Sequence, residues 1–120
     1  MGMCDVIKEK LQISDIRLEL VDFFETKENL VEGTVMAERA KILGADVGRV
    51  YAEFIFENEF CIPKEWRNYD LVFPEAKHMI DNSECILYLH YHERNKQWQR
   101  GYGFSKFDWT PRARLVRSCK

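Results

Sequence analysis

No stretch of this sequence approaches the ~18 consecutive apolar residues of a membrane-spanning helix, and the N-terminus lacks the apolar core of a secretion signal. Gly2 beside Cys4 hints at acylation, but Val6 stands where the myristoylation pattern wants Ser or Thr. No membrane partner is expected, and the chain is read as soluble and cytoplasmic. Its four cysteines, Cys4, Cys61, Cys85 and Cys119, are scattered singly, with no CxxC pair and no His at zinc-finger spacing. Reduced thiols are the reading that fits. Glycine is scarce, and Gly44 and Gly48 bracket Ala45-Asp46-Val47 as a loop whose spacing matches neither GxGxxG nor a Walker motif. No Ser sits in a GxSxG elbow, and no carboxylates form a recognisable acid and base pair. No cofactor and no catalytic residue is therefore expected, and an enzyme is the weaker reading beside a binding module.

What the chain does have is apolar material, with 46% hydrophobic and 13% aromatic residues in 120. That is enough to bury the core of a single domain spanning residues 1–120. Val6, Ile7 and Leu11 have helical spacing behind Asp5, which suggests a short N-terminal helix over 5–12. Ile16-Arg-Leu-Glu-Leu20 alternates and continues to Phe24, predicting a strand, and 30–38 reads as a second strand that closes a first hairpin. Arg49-Val-Tyr-Ala-Glu-Phe-Ile-Phe-Glu57 reads as the clearest strand of the first half, with Val50, Ala52, Phe54 and Phe56 on one face. A short strand over 69–73 ends at Pro74, and a helical turn is expected within 77–82.

Residues 84–107 form two runs rich in aromatic, β-branched and Leu residues around a polar Arg94-Asn95-Lys96-Gln97 turn, the pattern of a long antiparallel hairpin. A turn centred between Asn95 and Lys96 places Gly101 opposite His90 and Gly103 opposite Tyr88. Rings then face bare backbone, either as a flat ligand platform or as a seat for another layer. Leu87, Leu89, Tyr102 and Phe104 are expected to pack on the 49–57 strand. Six or seven short strands suggest an all-β fold, a small antiparallel sandwich or barrel with a short N-terminal helix. The alternative is an α+β fold with one curved antiparallel sheet.

His90 and His92 lie two apart on a strand, so their imidazoles project from one face about 7 Å apart. A metal would need a third ligand that the sequence does not identify, and the metal question stays open. Candidate binding residues are these two histidines with Tyr88, together with Trp66 and Trp109 in less regular segments and Arg100 in a basic quarter. Residues 90–120 hold 8 Lys and Arg against 2 acids, while residues 1–60 hold 7 against 13 acids. Aromatic rings among basic side chains suit bases and phosphates. A protein is the favoured partner, with a glycan stacked on exposed Trp and Tyr as one alternative and weak nucleic-acid binding as another.

Gly33-Thr-Val35 after an alternating strand, the 50–56 strand followed by Trp66, and a late hairpin with Trp98 and Gly101 resemble the glycogen-targeting type of carbohydrate-binding module. The resemblance implies a β-sandwich. It stops at Gln99-Arg-Gly-Tyr-Gly103, which stands where such modules carry an Asn-rich sugar-binding stretch, and no binding residue is transferred.

Overall fold

The computed structural model describes residues 10–119. It contains a six-stranded mixed sheet, a two-stranded sheet and two α-helices, so the purely β expectation gives way to a mixed architecture of which strands are the larger part. The strands are β1 (Leu11–Ile13), β2 (Ile16–Val21), β3 (Val31–Glu32), β4 (Asp70–Ile80), β5 (Ser83–His92), β6 (Gln97–Phe104), β7 (Asp108–Trp109) and β8 (Ala113–Ser118). The helices are α1 (Gly33–Leu43) and α2 (Arg49–Glu57), and two 3-10 turns cover Glu59–Cys61 and Lys64–Asn68. The large sheet runs β1-β2-β8-β4-β5-β6 and is not closed into a barrel. All its pairs are antiparallel except β4 with β8.

Alternation along the strands separates two cores. Leu71, Phe73, Leu87, Leu89, Trp98 and Val116 point to one face and pack with Ala52 and Ile55 of α2 and with Trp66. Val72, Ile86 and Leu115 point to the other and pack with Met36 and Ala40 of α1. One helix therefore covers each face, which a two-sided apolar sheet requires.

Arg49–Glu57 is a helix, and the reason lies in its pattern. Val50, Ala52, Phe54 and Phe56 alternate as in a strand, but Tyr51 and Ile55 on the other face add apolar positions, so the segment also presents Ala52 and Ile55 at helical spacing, and these are its fully buried residues. Gly48 opens α2, and the Ala52 N–H donates to the Gly48 carbonyl. Only Val31–Glu32 of the expected 30–38 strand is extended, pairing with β7, and α1 begins at Gly33. The first hairpin is therefore formed differently, with β2 between β1 and β8. The helix expected over 5–12 lies mostly outside the described residues, and Leu11 and Gln12 belong to β1.

Pro74 does not end β4. The strand passes it with a break in register between Phe73 and Lys77 and continues to Ile80, as Pro is tolerated where the ladder is interrupted. The expected helical turn is instead a two-residue hairpin turn. Asp81 and Asn82 both have positive φ, 49° and 65°, between the paired Ile80 and Ser83. The 44–48 loop is present, with Gly44 closing α1 at φ 69° and the Ala45 N–H returning to the Ala40 carbonyl.

The 84–107 hairpin is present as β5 and β6, but its register is two residues away from expectation. Gly101 faces Tyr88, Gly103 faces Ile86 and His90 faces Gln99. A two-residue shift preserves which side chains share a face, so only the partners change. Leu87 and Leu89 are buried as expected, whereas Tyr102 and Phe104 are exposed because α2 ends short of them.

Candidate functional site

Two regions flank the β5–β6 hairpin. The first contains three residues singled out from sequence, Tyr88, His90 and Trp109. The Tyr88 and His90 ring centroids are 5.5 Å apart, and the Trp109 ring meets Tyr88 edge-on at 5.7 Å. Gly101 and Gly103 are what allow this. A Cβ on Gly101 would fall 2.5 Å from the Tyr88 ring, and one on Gly103 would fall 2.8 Å from the Trp109 ring. The bare backbone is thus a seat for the protein's own rings.

Asp70, which sequence reasoning did not single out, joins this cluster at the start of β4, one step before the paired Leu71 and Leu89. Burial pushes its carboxyl upward from the ordinary Asp value, against the pull of Arg112 and His90. Arg112 reaches it at 3.7 Å, and burial with the nearby Asp70 charge also raises the Tyr88 phenol. A carboxyl, an imidazole, a phenol and a guanidinium thus share one shallow polar rim above the α1 side of the core. The pairing of β4 with β8 creates it, and no local signal marks that pairing.

The other sequence candidates lie apart. His92 sits at the hairpin turn, where its Nδ1 accepts from the Asn95 N–H at 3.3 Å. Among the described residues no group of His, Cys, Asp and Glu is arranged to hold a metal ion. Trp66 is fully buried in the core beside α2, so its expected place at the surface is not met. Arg100 lies on the face opposite Tyr88, bound twice to Glu53 at 2.6 and 3.2 Å and stacked over the Phe56 ring at 4.1 Å.

The second region was not foreseen. A groove of about 660 Å3 opens at the end of the sheet where the β4–β5 turn meets the β6–β7 loop. Met79, Phe104 and Phe107 wall it, with Glu84 and Lys106 among its polar lining. Met79 is 63% and Phe107 62% exposed, and the Phe104 and Phe107 rings stack edge-on at 4.8 Å. The loop is held by the Gly33 N–H, which donates to the Phe107 carbonyl at 3.0 Å, and by the Ser105 N–H, which donates to the Glu84 carbonyl. The sequence does show a Phe104-Ser-Lys-Phe107 run, but it does not show that α2 leaves those rings uncovered.

The groove adjoins β6, an edge strand of eight residues. The Trp98 N–H points away from β5 and donates to Glu59 Oε1 at 3.1 Å. Antiparallel alternation therefore also turns the N–H and C=O of Arg100 and Tyr102 outward.

No helix among the described residues is long and apolar enough to cross a membrane. Cys61, Cys85 and Cys119 are free thiols. The resemblance to a glycogen-targeting module loses its basis, because Gly33 opens one helix and 50–56 belongs to another. Neither a protein-family model, nor a curated protein, nor a solved structure matches the chain.

Proposed function

We propose that the protein is a non-enzymatic binding or regulatory module that engages another protein through the groove at Met79, Phe104 and Phe107. The observation that carries this reading is the clustering of large exposed apolar side chains around one concavity beside an open sheet edge. Isolated exposed apolar residues are ordinary, whereas a contiguous patch with a hollow is what a partner's side chain fills. The rival readings have less support. Trp66 is buried and the Trp109 ring is packed on Gly103, so neither tryptophan singled out from sequence offers an open face to a sugar. Much of the basic C-terminal quarter is engaged by acids of the same chain.

Affinity capture from native lysate with the wild type and with a Met79→Asp, Phe107→Asp double variant tests the proposal. Both side chains are exposed, so the variant is expected to keep its thermal melt. Proteins retained by the wild type should be lost with the variant. An identical captured set from both would remove the groove from the function.

A further inference from the structure

Among the described residues, strand β6 lacks most of the usual protections of an exposed edge. It has no Pro and no bulge in its pairing with β5, and its one formally charged side chain, Arg100, is already held by Glu53. By contrast, the opposite edge, β1, is three residues long, which by itself limits strand addition. At the Trp98 end of β6, Glu59 occupies the outward Trp98 N–H, and the next residue, Phe60, is 84% exposed. At the other end lies the groove walled by Met79, Phe104 and Phe107, with Glu84 and Lys106 on its lining. A single strand thus carries an exposed ring beside Glu59 at one end and, at the other, a hollow with apolar walls whose one base is Lys106.

That distribution is self-complementary under a two-fold rotation. We propose that β6 pairs antiparallel with β6 of a second copy about an axis at Tyr102, so that Phe60 of each copy enters the groove of the other. With the axis there, Arg100 lies opposite Phe104 of the second copy, and position 98 lies opposite 106. The outward groups of Tyr102 then exchange main-chain hydrogen bonds across the axis, and the Phe104 N–H meets the Arg100 carbonyl of the other copy, while the Phe104 carbonyl already accepts the Phe107 N–H at 3.0 Å. Glu59, already at the Trp98 edge, comes beside Lys106 of the other copy. Strand addition does not extend to Trp98, whose N–H Glu59 has taken. The proposal rests on the groove being a protein-binding surface and names a second copy of this chain as its occupant.

Sedimentation velocity on the full chain over a wide concentration range tests it, with Tyr102→Pro and Phe60→Asp as variants. The Tyr102 N–H points outward, so Pro at 102 leaves the β5–β6 ladder its bonds while blocking an added strand. Phe60→Asp is confined to an exposed side chain and serves if the Pro variant unfolds. The wild type should dimerise, and each variant should weaken the dimer by about tenfold or more. The Tyr102 amide of the wild type should be protected from exchange in concentrated solution and lose that protection on dilution. A monomer at every concentration, or a dimer indifferent to both substitutions, overturns the proposal. A monomer that still captures another protein in a Phe107-dependent way overturns the dimer alone and leaves the broader binding function standing.

Discussion

Among single residues, glycines define the β6 side of the molecule, because three of them touch groups that a methyl would displace. They differ in what would have to move. A Cβ on Gly33 would lie 1.9 Å from the Ser105 carbonyl oxygen, which is backbone fixed by the Phe107 turn and the Glu84 carbonyl. The nearest neighbours at Gly101 are the outer atoms of the Tyr88 ring, which can rotate. Gly33→Ala is accordingly expected to cost about 3 kcal/mol or more and Gly101→Ala about 1 kcal/mol, the two ends of the overpacking range. Tyr88→Ala should relieve the second and leave the first unchanged, so chemical denaturation of the Gly101→Ala, Tyr88→Ala double variant should show strong non-additivity. Equal costs at Gly33 and Gly101, or strict additivity with Tyr88, would contradict this account. The sequence announced a close approach at Gly101 and Gly103 but could not say whether a ligand or the protein's own rings made it. That depended on where β7 brings Trp109.

Individual elements divide by whether their signal is local. The β5–β6 hairpin was legible, since its alternation, its aromatic content and its polar turn agree with one another. The turn's αL residue, Lys96 at φ 55°, set a register that composition alone could not give. The α2 segment was not legible, because a short run with apolar residues at both alternating and helical spacing fits a strand and a short helix equally, and tertiary packing decides. The two possibilities make opposite demands on two residues. A strand would bury Val50 with Ala52 and Phe54 and turn Ile55 away, whereas the helix leaves Val50 80% exposed and Ile55 fully buried. Val50→Lys should therefore shift stability by no more than about 0.5 kcal/mol. Ile55→Ala should cost about 2 to 5 kcal/mol through the cavity it leaves. Thermal melts of the two variants check this, and the reverse order would restore the strand.

Across the whole molecule, the charge asymmetry of the sequence becomes a set of ion pairs between the basic last quarter and acids earlier in the chain. Glu19 holds Arg117 at 2.6 Å, Glu53 holds Arg100 at 2.6 Å, and Asp22 and Asp70 approach Arg114 and Arg112 at 3.8 and 3.7 Å. These pairings follow from β8 lying between β2 and β4, and from α2 packing on β4 and β5 within reach of Arg100 on β6, which no local pattern reveals. What the sequence showed was only that an acidic first half and a basic last quarter coexist. Such neutralisation weakens the field that would gather phosphates, because an arginine already bound to a carboxylate gains less by releasing a counterion from nucleic acid. The basic side chains of the hairpin turn and the groove, Arg94, Lys96 and Lys106, are too few to neutralise a long run of phosphates. Fluorescence anisotropy with a single-stranded RNA should therefore give at most weak binding at physiological salt, with a shallow dependence on salt concentration. Submicromolar affinity under those conditions, abolished when Arg94, Lys96 and Lys106 are replaced by Glu, would mean that the basic face acts on nucleic acid despite its internal partners.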